Sequence, residues 1–453
     1  MSHNLRLAAA PVYLLLCLLL GGASAAGIWA NLLLQLVGLA LIAWSLSAQR
    51  RTPIDTPARQ LIALVVLMLL VVVVQLVPMP PSLWTELGGR ERIAAGYRLL
   101  GEPLPWLPIS LSAGSTLAAG LWLIPAVAML LLVAKLGAFR LTWLAWTIIA
   151  VAVVSAAVGA LQVADASWYF YQVTNYGAGV GFFANANHQA TLLVSTIPFL
   201  SALYLASRGK GGFSKRTSGL LVILIGVLMI LLVGLALNGS LAGFGIAIPV
   251  IAASIVMLWL GKRKLPGWAA GLMLLATAAA LAIPLSTPLG NNLTTTEAKS
   301  SQFSRYTTFL VTAKAAQEHL PFGSGLGTFI EIYRTYEDPA RVEQTYINRA
   351  HSDYLELFLE TGLLSVPLLL LFLIWWSWRL SLAWRSDEPD HFARAASIAT
   401  AAILIHSIVD YPIRTAAISA LFAMCCAIMA NPRPRSRRGE QSPPEKQARH
   451  LSA

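Results

Sequence analysis

Apolar residues in this chain come in runs of about 20 with no period-two alternation, separated by short polar stretches and by three longer ones. A run of that length crosses the hydrocarbon of a bilayer as a helix, and lipid offers no partner to an unpaired backbone amide. The pattern therefore predicts helices rather than strands. Twelve are expected, at about residues 5–25, 27–46, 60–78, 116–134, 141–162, 188–206, 218–237, 241–260, 267–285, 362–379, 393–409 and 412–430. The expected fold class is an all-α polytopic membrane protein.

Composition agrees with the pattern. The chain is 57% hydrophobic and 11% charged, with a mean hydropathy of +0.68, which excludes a soluble globular domain. Charge adds orientation, because loops rich in Lys and Arg stay cytoplasmic. With twelve spans and both termini inside, Arg50, Arg51 and Arg59, Lys135 and Arg140, Arg208 to Arg216, Lys262 to Lys264 and the tail all fall on one side. That side holds 22 of the 32 basic residues. The net charge of +12 is thus mainly a topology signal, and the Pro/Arg-rich tail from Pro432 reads as a disordered, lipid-facing segment rather than a nucleic-acid-binding one.

Arg6, the apolar run after it and Ala23-Ser24-Ala25 imitate a signal peptide. A retained helix is the preferred reading, and cleavage would leave the other spans oriented as they are. Cys17, Cys425 and Cys426 lie within expected spans, so neither a disulfide framework nor a Cys/His metal site is indicated.

Three external segments are long enough to carry function. The first, about Met79 to Ser115, is rich in Pro and Trp, and its aromatics are expected in the interfacial belt or stacked on sugars. The second, about Val163 to Asn187, lacks Lys and Arg and ends in a Gly-rich stretch followed by Asn185 and Asn187. Those two are either helix caps or a pair of ligand-binding amides. The third, about Ser286 to Ala350, should contain an amphipathic helix from Ser304 to His319 lying at the outer membrane face, with Phe303, Tyr306, Phe309, Leu310, Ala313 and Leu320 as its apolar side. A tight turn at Pro321-Phe322-Gly323-Ser324-Gly325 follows; no Gly-Lys-Ser/Thr comes after it, so a nucleotide P-loop is excluded. This segment holds six Lys/Arg and six carboxylates. Any anion must therefore be gripped by individually placed arginines, whose planar fork suits phosphate oxygens.

A dense polar cluster, Asn348-Arg349-Ala350-His351-Ser352-Asp353-Tyr354-Leu355-Glu356 with Glu360 and Gly362, stands directly before the tenth span. Ionisable groups at a membrane entrance are costly and so mark a candidate site. Asp353 and Glu356 also suit the first turn of a helix. His406, Asp410 and Arg414 recur at steps of four near the external end of the eleventh span, where they either orient the His351 region or form a local ion pair.

Phe183-Ala184-Asn185-Ala186-Asn187, Arg305 ahead of Pro321-Phe322-Gly323-Ser324-Gly325, the His351 cluster, and His406-Ser407-Ile408-Val409-Asp410-Tyr411-Pro412 occur in that order. Together, from about residue 180 onward, they resemble the O-antigen ligase and polymerase superfamily of bacterial envelope glycosyltransferases. The resemblance implies a GT-C-like helical frame in which residues 1–180 supply five N-terminal helices, residues 181–430 form the ligase-related domain with a periplasmic loop over 286–350, and residues 431–453 form the cytoplasmic tail. It implies an inner-membrane enzyme acting at the periplasmic face. Its donor would be an undecaprenyl-diphosphate-linked glycan, its acceptor lipid A core or a growing glycan, and it would use no nucleotide sugar, metal or other cofactor.

Such a transfer needs a base for the acceptor hydroxyl and cations for the departing diphosphate. His351 is the candidate base; Arg305, Arg349 and Arg414 are the candidate diphosphate ligands, with Asn185 and Asn187 toward the glycan. Asp353, Glu356, Asp410, Gly323 and Gly325 are the expected supporting residues. One departure stands out: where the ligases commonly begin a span with Ser-Arg, this chain reads Ser240-Leu241. O-antigen ligation is the first reading and polysaccharide polymerisation the alternative, followed by protein O-glycosylation. A transporter or flippase would place ionisable residues deep in the spans, or broken helices in two related halves, and the charges here gather in one external loop.

Overall fold

A computed structural model of the protein describes residues 3–24, 27–48, 54–208, 215–261, 263, 271, 296–341, 347–386 and 390–431. The expected ninth span at 267–285 (save Gly271), Ala25, the loop cations Arg50, Arg51, Lys210, Lys262 and Lys264, and the tail from Pro432 lie outside the described residues. Within them the chain is helical: α1 (His3–Leu20), α2 (Ile28–Ser47), α3 (Thr56–Gln75), the short α4 (Pro81–Trp84) and α5 (Glu91–Leu99), α6 (Ala113–Trp122), α7 (Ile124–Leu131), α8 (Leu141–Asp165), α9 (Ala186–Ser207), α10 (Lys215–Asn238) and α11 (Leu241–Leu260). Then come α12 (Thr296–Glu318), α13 (Phe329–Tyr336), α14 (Asp353–Thr361), α15 (Ser365–Arg385), α16 (His391–His406) and α17 (Ala416–Ala430). Eight helical stretches among the described residues are long and apolar enough to cross a membrane, which makes this a multi-pass membrane protein.

The expected fourth span is two helices. Pro125 sits at the second position of α7, where its missing N–H breaks continuity with α6, and a π-helical turn over Leu132–Leu136 ends the run. The tenth is likewise preceded by a separate helix, α14, from which it is divided at Gly362 (φ 58°). The twelfth begins at Ala416, because Pro412 lies in a 3₁₀ turn rather than in the helix.

α9, α16 and α17 are buried almost throughout and form the centre of the bundle. α9 packs on α8, α10, α11 and α16, and α17 on α1, α3, α7 and α16. Small residues make this closeness possible: Ala395, Ala396, Ala399 and Ala402 of α16 let backbones approach, as helices do in lipid. Outward faces carry large apolar side chains, among them Trp29, Val222, Trp259 and Ile374, which belong against acyl chains.

Contacts sort the helix ends into two groups. At one end basic side chains donate to terminal carbonyls: Arg394 to Ala383, Gly261 and Arg263, Arg379 to Met429, and Lys135 to Leu46. Cations there satisfy orphan carbonyls and the negative pole of each helix. The opposite end gathers the polar loops. There α1 stops at Gly21-Gly22, wedged between two segments: Ala417 N–H donates to Gly21 O (3.0 Å) and Ala184 N–H to Gly22 O (3.1 Å).

α12 and α13 lie over this loop-bearing end, packed on α14 through Ala315, Ala316, Phe329, Ile332 and Leu359. The buried stripe of α12 is Thr308, Thr312, Ala315, Ala316 and His319, whereas Tyr306 and Leu310 are exposed. The larger apolar residues of the expected face thus point away from the protein, and the alanines of the opposite face pack in the apolar cluster with α13 and α14. Trp84 also departs from the interfacial belt: it is fully buried and its Nε1–H donates to Pro105 O at 2.8 Å, closing the loop on itself, while Trp106 is exposed.

A Cβ on Gly22 would stand 2.1 Å from Phe182 O, whereas nothing lies within 4 Å of one on Gly96. Gly22→Ala is expected to cost about 1–3 kcal/mol and to lower the melting temperature in detergent. Gly96→Ala, within helix α5, should leave it unchanged or raise it slightly.

Candidate functional site

The site is built where α14 meets the turn between α16 and α17. Ser352 caps α14, its hydroxyl accepting from Leu355 N–H. Helical geometry then sets Asp353, Glu356 and Glu360 on one face. The turn Pro412–Arg414 delivers Arg414 to that face: Nε lies 3.5 Å from Asp353, Nη1 2.9 Å from Glu356 and Nη2 2.9 Å from Glu360. Glu356 Oε1 also accepts from Arg349 Nη1 (2.9 Å), and its Oε2 from the Ala350 N–H (2.9 Å). Arg349 is further held by the Ser24 carbonyl, 3.2 Å from Nη2. Burial alone would favour the neutral form of Arg414, but Glu356, Glu360 and Asp353 outweigh it and hold the guanidinium protonated beyond its ordinary range.

One residue beyond Ala350, His351 adopts a left-handed backbone (φ 53°), an uncommon conformation for a residue with a side chain. That conformation puts Nδ1 3.2 Å from Asp410 Oδ1. Asp410 is fully buried; its Oδ2 lies 3.7 Å from His188 Nε2 on α9. Burial would raise the Asp410 pKa, but the His351 hydrogen bond and the surrounding His188, His351 and His406 rings prevail and hold the carboxyl well below the usual range. The Tyr411 ring meets both imidazoles edge-on, 4.8 Å from His188 and 5.2 Å from His351. Asn185 Nδ2 donates to the Tyr411 hydroxyl (3.3 Å), and burial next to Asp410 keeps that phenol protonated above its ordinary range. The two clusters are tied by Asp353, whose N–H donates to the Ser407 and Asp410 carbonyls and whose Oδ2 accepts from Ser407 Oγ (2.8 Å).

An apolar cavity of about 760 Å³ opens beside the acidic cluster. Leu64, Met68, Val127, Phe372 and Phe422 represent its walls, and Arg349, Asp353 and Arg414 form its polar end. His351 does not border it and has a side chain 22% exposed. Among the described residues no group of His, Cys, Asp or Glu is arranged to hold a metal ion.

The structure thus brings His351, Asp410, Asn185, Arg349, Asp353, Glu356 and Arg414 together. Asp353 and Glu356 are more than a helix start, and Asp410 and Arg414 bind different partners instead of each other. Arg414, expected as a free phosphate cation, has every guanidinium nitrogen facing a carboxylate. Arg305 on α12 is half-buried, without a hydrogen bond or ion pair among the described residues, and close enough for its charge to reach His406. Asn185 caps α9 through Asn187 N–H, but Asn187 is buried and accepts from Ser240 Oγ (2.6 Å), a packing role. Gly323 and Gly325 take φ of 77° and 110° and press on Glu360 and Ser110, where no Cβ would fit.

Sequence reasoning assigned no role to His188 or Gln75. His188 follows Asn187 directly and was legible only as a motif letter. Gln75, alone at the end of an apolar run, donates to Glu360 O (2.8 Å) and accepts from Leu326 N–H (2.9 Å), fastening α3 to both the Gly-rich turn and α14.

A bundle of apolar helices thus carries a histidine–carboxylate centre at its loop-bearing end, covered by α12 and α13 and flanked by an apolar cavity. Residues 226–370 match the family model described as O-Antigen ligase, a match over about a third of the chain that supports a relation to the O-antigen ligase and polymerase superfamily. The match includes Arg305, Gly323, Gly325, Arg349, His351, Asp353 and Glu356; Asn185, His188, Asp410 and Arg414 lie outside it. No curated protein matches the chain.

Removing Arg414 takes the ion-pair partner from the buried Glu356 and Glu360 and from the partly buried Asp353, so Arg414→Met is expected to cost about 3–5 kcal/mol, read as a lower melting temperature in detergent. Asp410 has a lowered folded-state pKa, so its stabilisation is complete well above the unfolded value of about 3.9 and is lost as pH falls through that value toward the folded one. Between about pH 5 and pH 3 the wild-type protein should lose more thermal stability than Asp410→Asn.

Proposed function

We propose that the protein is an inverting glycosyltransferase that moves a glycan from undecaprenyl diphosphate to an acceptor hydroxyl at the periplasmic face of the bacterial inner membrane, with both termini cytoplasmic. The observation that carries this reading is a histidine paired through Nδ1 with a buried carboxylate, two residues from an arginine at the polar end of an apolar cavity. Residues 181–430 would form the catalytic domain, with residues 1–180 supplying part of the cavity wall and 431–453 a cytoplasmic tail.

With its Nδ1–H donated to Asp410, neutral His351 carries a lone pair on Nε2, the atom that takes the acceptor proton. As that proton leaves, the acceptor oxygen bonds to the anomeric carbon and the bond from that carbon to the diphosphate oxygen breaks. The leaving diphosphate keeps the electron pair. Arg305 and Arg349 receive that charge in this reading, while the polyprenyl chain lies along the apolar cavity. Arg414 acts through the acids that hold Arg349. Asn185 orients Tyr411 beside the base and faces the glycan side.

O-antigen ligation, with lipid A core as acceptor, is the first reading. The departure at Ser240-Leu241 favours a second, a polymerase joining lipid-linked repeat units: Ser240 is engaged with Asn187 and caps α11 at Gly243, and Leu241 is exposed where a ligase arginine would stand.

Purified protein, given a lipid-linked glycan with lipid A core or with fresh lipid-linked repeat units, should transfer to core, and His351→Ala should be about 10²–10⁴-fold slower. Arg305→Ala should lose at least tenfold in kcat. Longer lipid-linked chains without core modification would identify the polymerase, and full activity in His351→Ala would remove the base assignment.

A further inference from the structure

His188 is the most deeply placed ionisable group near the site that this mechanism leaves unused. It is 1% exposed, one turn into α9, and both ring nitrogens lack a hydrogen-bond partner among the described residues. Buried polar groups rarely go unpaired. The atom facing its Nε2 is Asp410 Oδ2, also buried and unpartnered, at 3.7 Å. The other oxygen of the same carboxylate is the one bonded to His351. Asp410 therefore stands between two imidazoles, and the Tyr411 ring, edge-on to both, keeps them from meeting each other. A separation of 3.7 Å exceeds a hydrogen bond by about 0.5–1 Å, a gap of the kind that closes when a site engages its substrate.

We propose that His188 is a positioning residue of the site: its Nε2–H serves the second oxygen of Asp410, and through that carboxylate it governs the basicity of His351. The proposal rests on His351 as the base. An N–H on Oδ2 draws charge away from Oδ1 and weakens the hold of Asp410 on a protonated His351. Without that donor the carboxylate concentrates its charge toward His351 and favours the imidazolium. The other charged or titratable groups facing this centre come from each packed element: Arg349 beside His351, His406 on α16 (its Nδ1 2.8 Å from Thr191 Oγ), Tyr411 in the turn, and Arg305 on α12. His188 is the one of these whose ring nitrogen faces Oδ2.

Ionisation of His351 can be read without turnover, because diethyl pyrocarbonate modifies only neutral imidazole and peptide mass spectrometry resolves each histidine. On the full chain in detergent, the pH midpoint for His351 modification should rise by about one unit in His188→Phe, which fills the slot without donating. His188→Gln, which restores an N–H near the Nε2 position, should return it to within a few tenths. His188→Leu reads the same loss if the Phe variant does not fold. The acid limb of kcat for glycan transfer should move with the midpoint. An unchanged midpoint in both non-donating variants overturns the proposal, as does a Gln variant indistinguishable from them. Absence of transfer by the wild-type protein would count against the glycosyltransferase reading instead, since the modification midpoint still decides the role of His188.

Discussion

Arg414 among three carboxylates, two of them fully buried, is the interaction on which the loop-bearing end of the molecule depends. Asp353, Glu356 and Glu360 enter from one face of α14, and burying them costs far more than any helix cap returns unless a cation meets them there. Arg414 comes from a turn more than 50 residues later in the chain, so the pairing locks α14 to the junction of α16 and α17. Three acids against Arg414 and Arg349 leave the cluster short of positive charge. That shortage keeps Arg414 protonated in a buried setting, and it also makes Arg414 a poor ligand for an incoming phosphate. Arg305 on the covering helix α12 makes no such ion pair among the described residues, and its charge is felt at His406.

The covering layer is held by polar bridges as well as by the apolar contacts of α12 and α13 with α14. Glu360 O accepts from both Gln75 Nε2 and Gly325 N–H, Leu326 N–H reaches Gln75 Oε1, and Ser110 N–H reaches Gln75 O. One glutamine at the end of α3 thus joins the N-terminal helices to the Gly-rich turn and to α14. Gly323 is required because its neighbours are backbone atoms of Glu360 and Gly362 that cannot yield, and Gly325 because its φ of 110° and the close approach of Ser110 leave no room for a side chain.

The spans were legible in the sequence wherever hydropathy alone decides them, as in α2, α3, α8, α10 and α11. Hydropathy could not show that Ala113 to Leu136 is broken, since Pro125 is itself apolar and its effect is on the backbone. The candidate site was legible as a set of residues, because ionisable groups at the end of a span are too costly to be incidental. Their pairing was not. The steps of four linking His406, Asp410 and Arg414 suggested one helical face, yet the chain leaves the helix after His406. Asp410 then turns to His351 and Arg414 to the acids. The amphipathic helix expected from Tyr306 and Leu310 is present as α12, with those two residues exposed and its alanines and threonines buried.

The two clusters share the short segment from Arg349 to Asp353, and the sharing fixes their geometry. Glu356 holds the Arg349 side chain with one oxygen and the Ala350 backbone with the other, so a single carboxylate sets both the arginine at the cavity and the chain leading to His351. Asp353, on the far side of His351, is anchored by the Ser407 and Asp410 carbonyls. His351 is thereby pinned from both directions, which is how a residue with a side chain is kept in a left-handed conformation that costs about 1–2 kcal/mol. His351 and Arg349 consequently take their positions from the same rigid helix start. The distance between them is a property of α14 and its ion pairs, not of the long segment that precedes it.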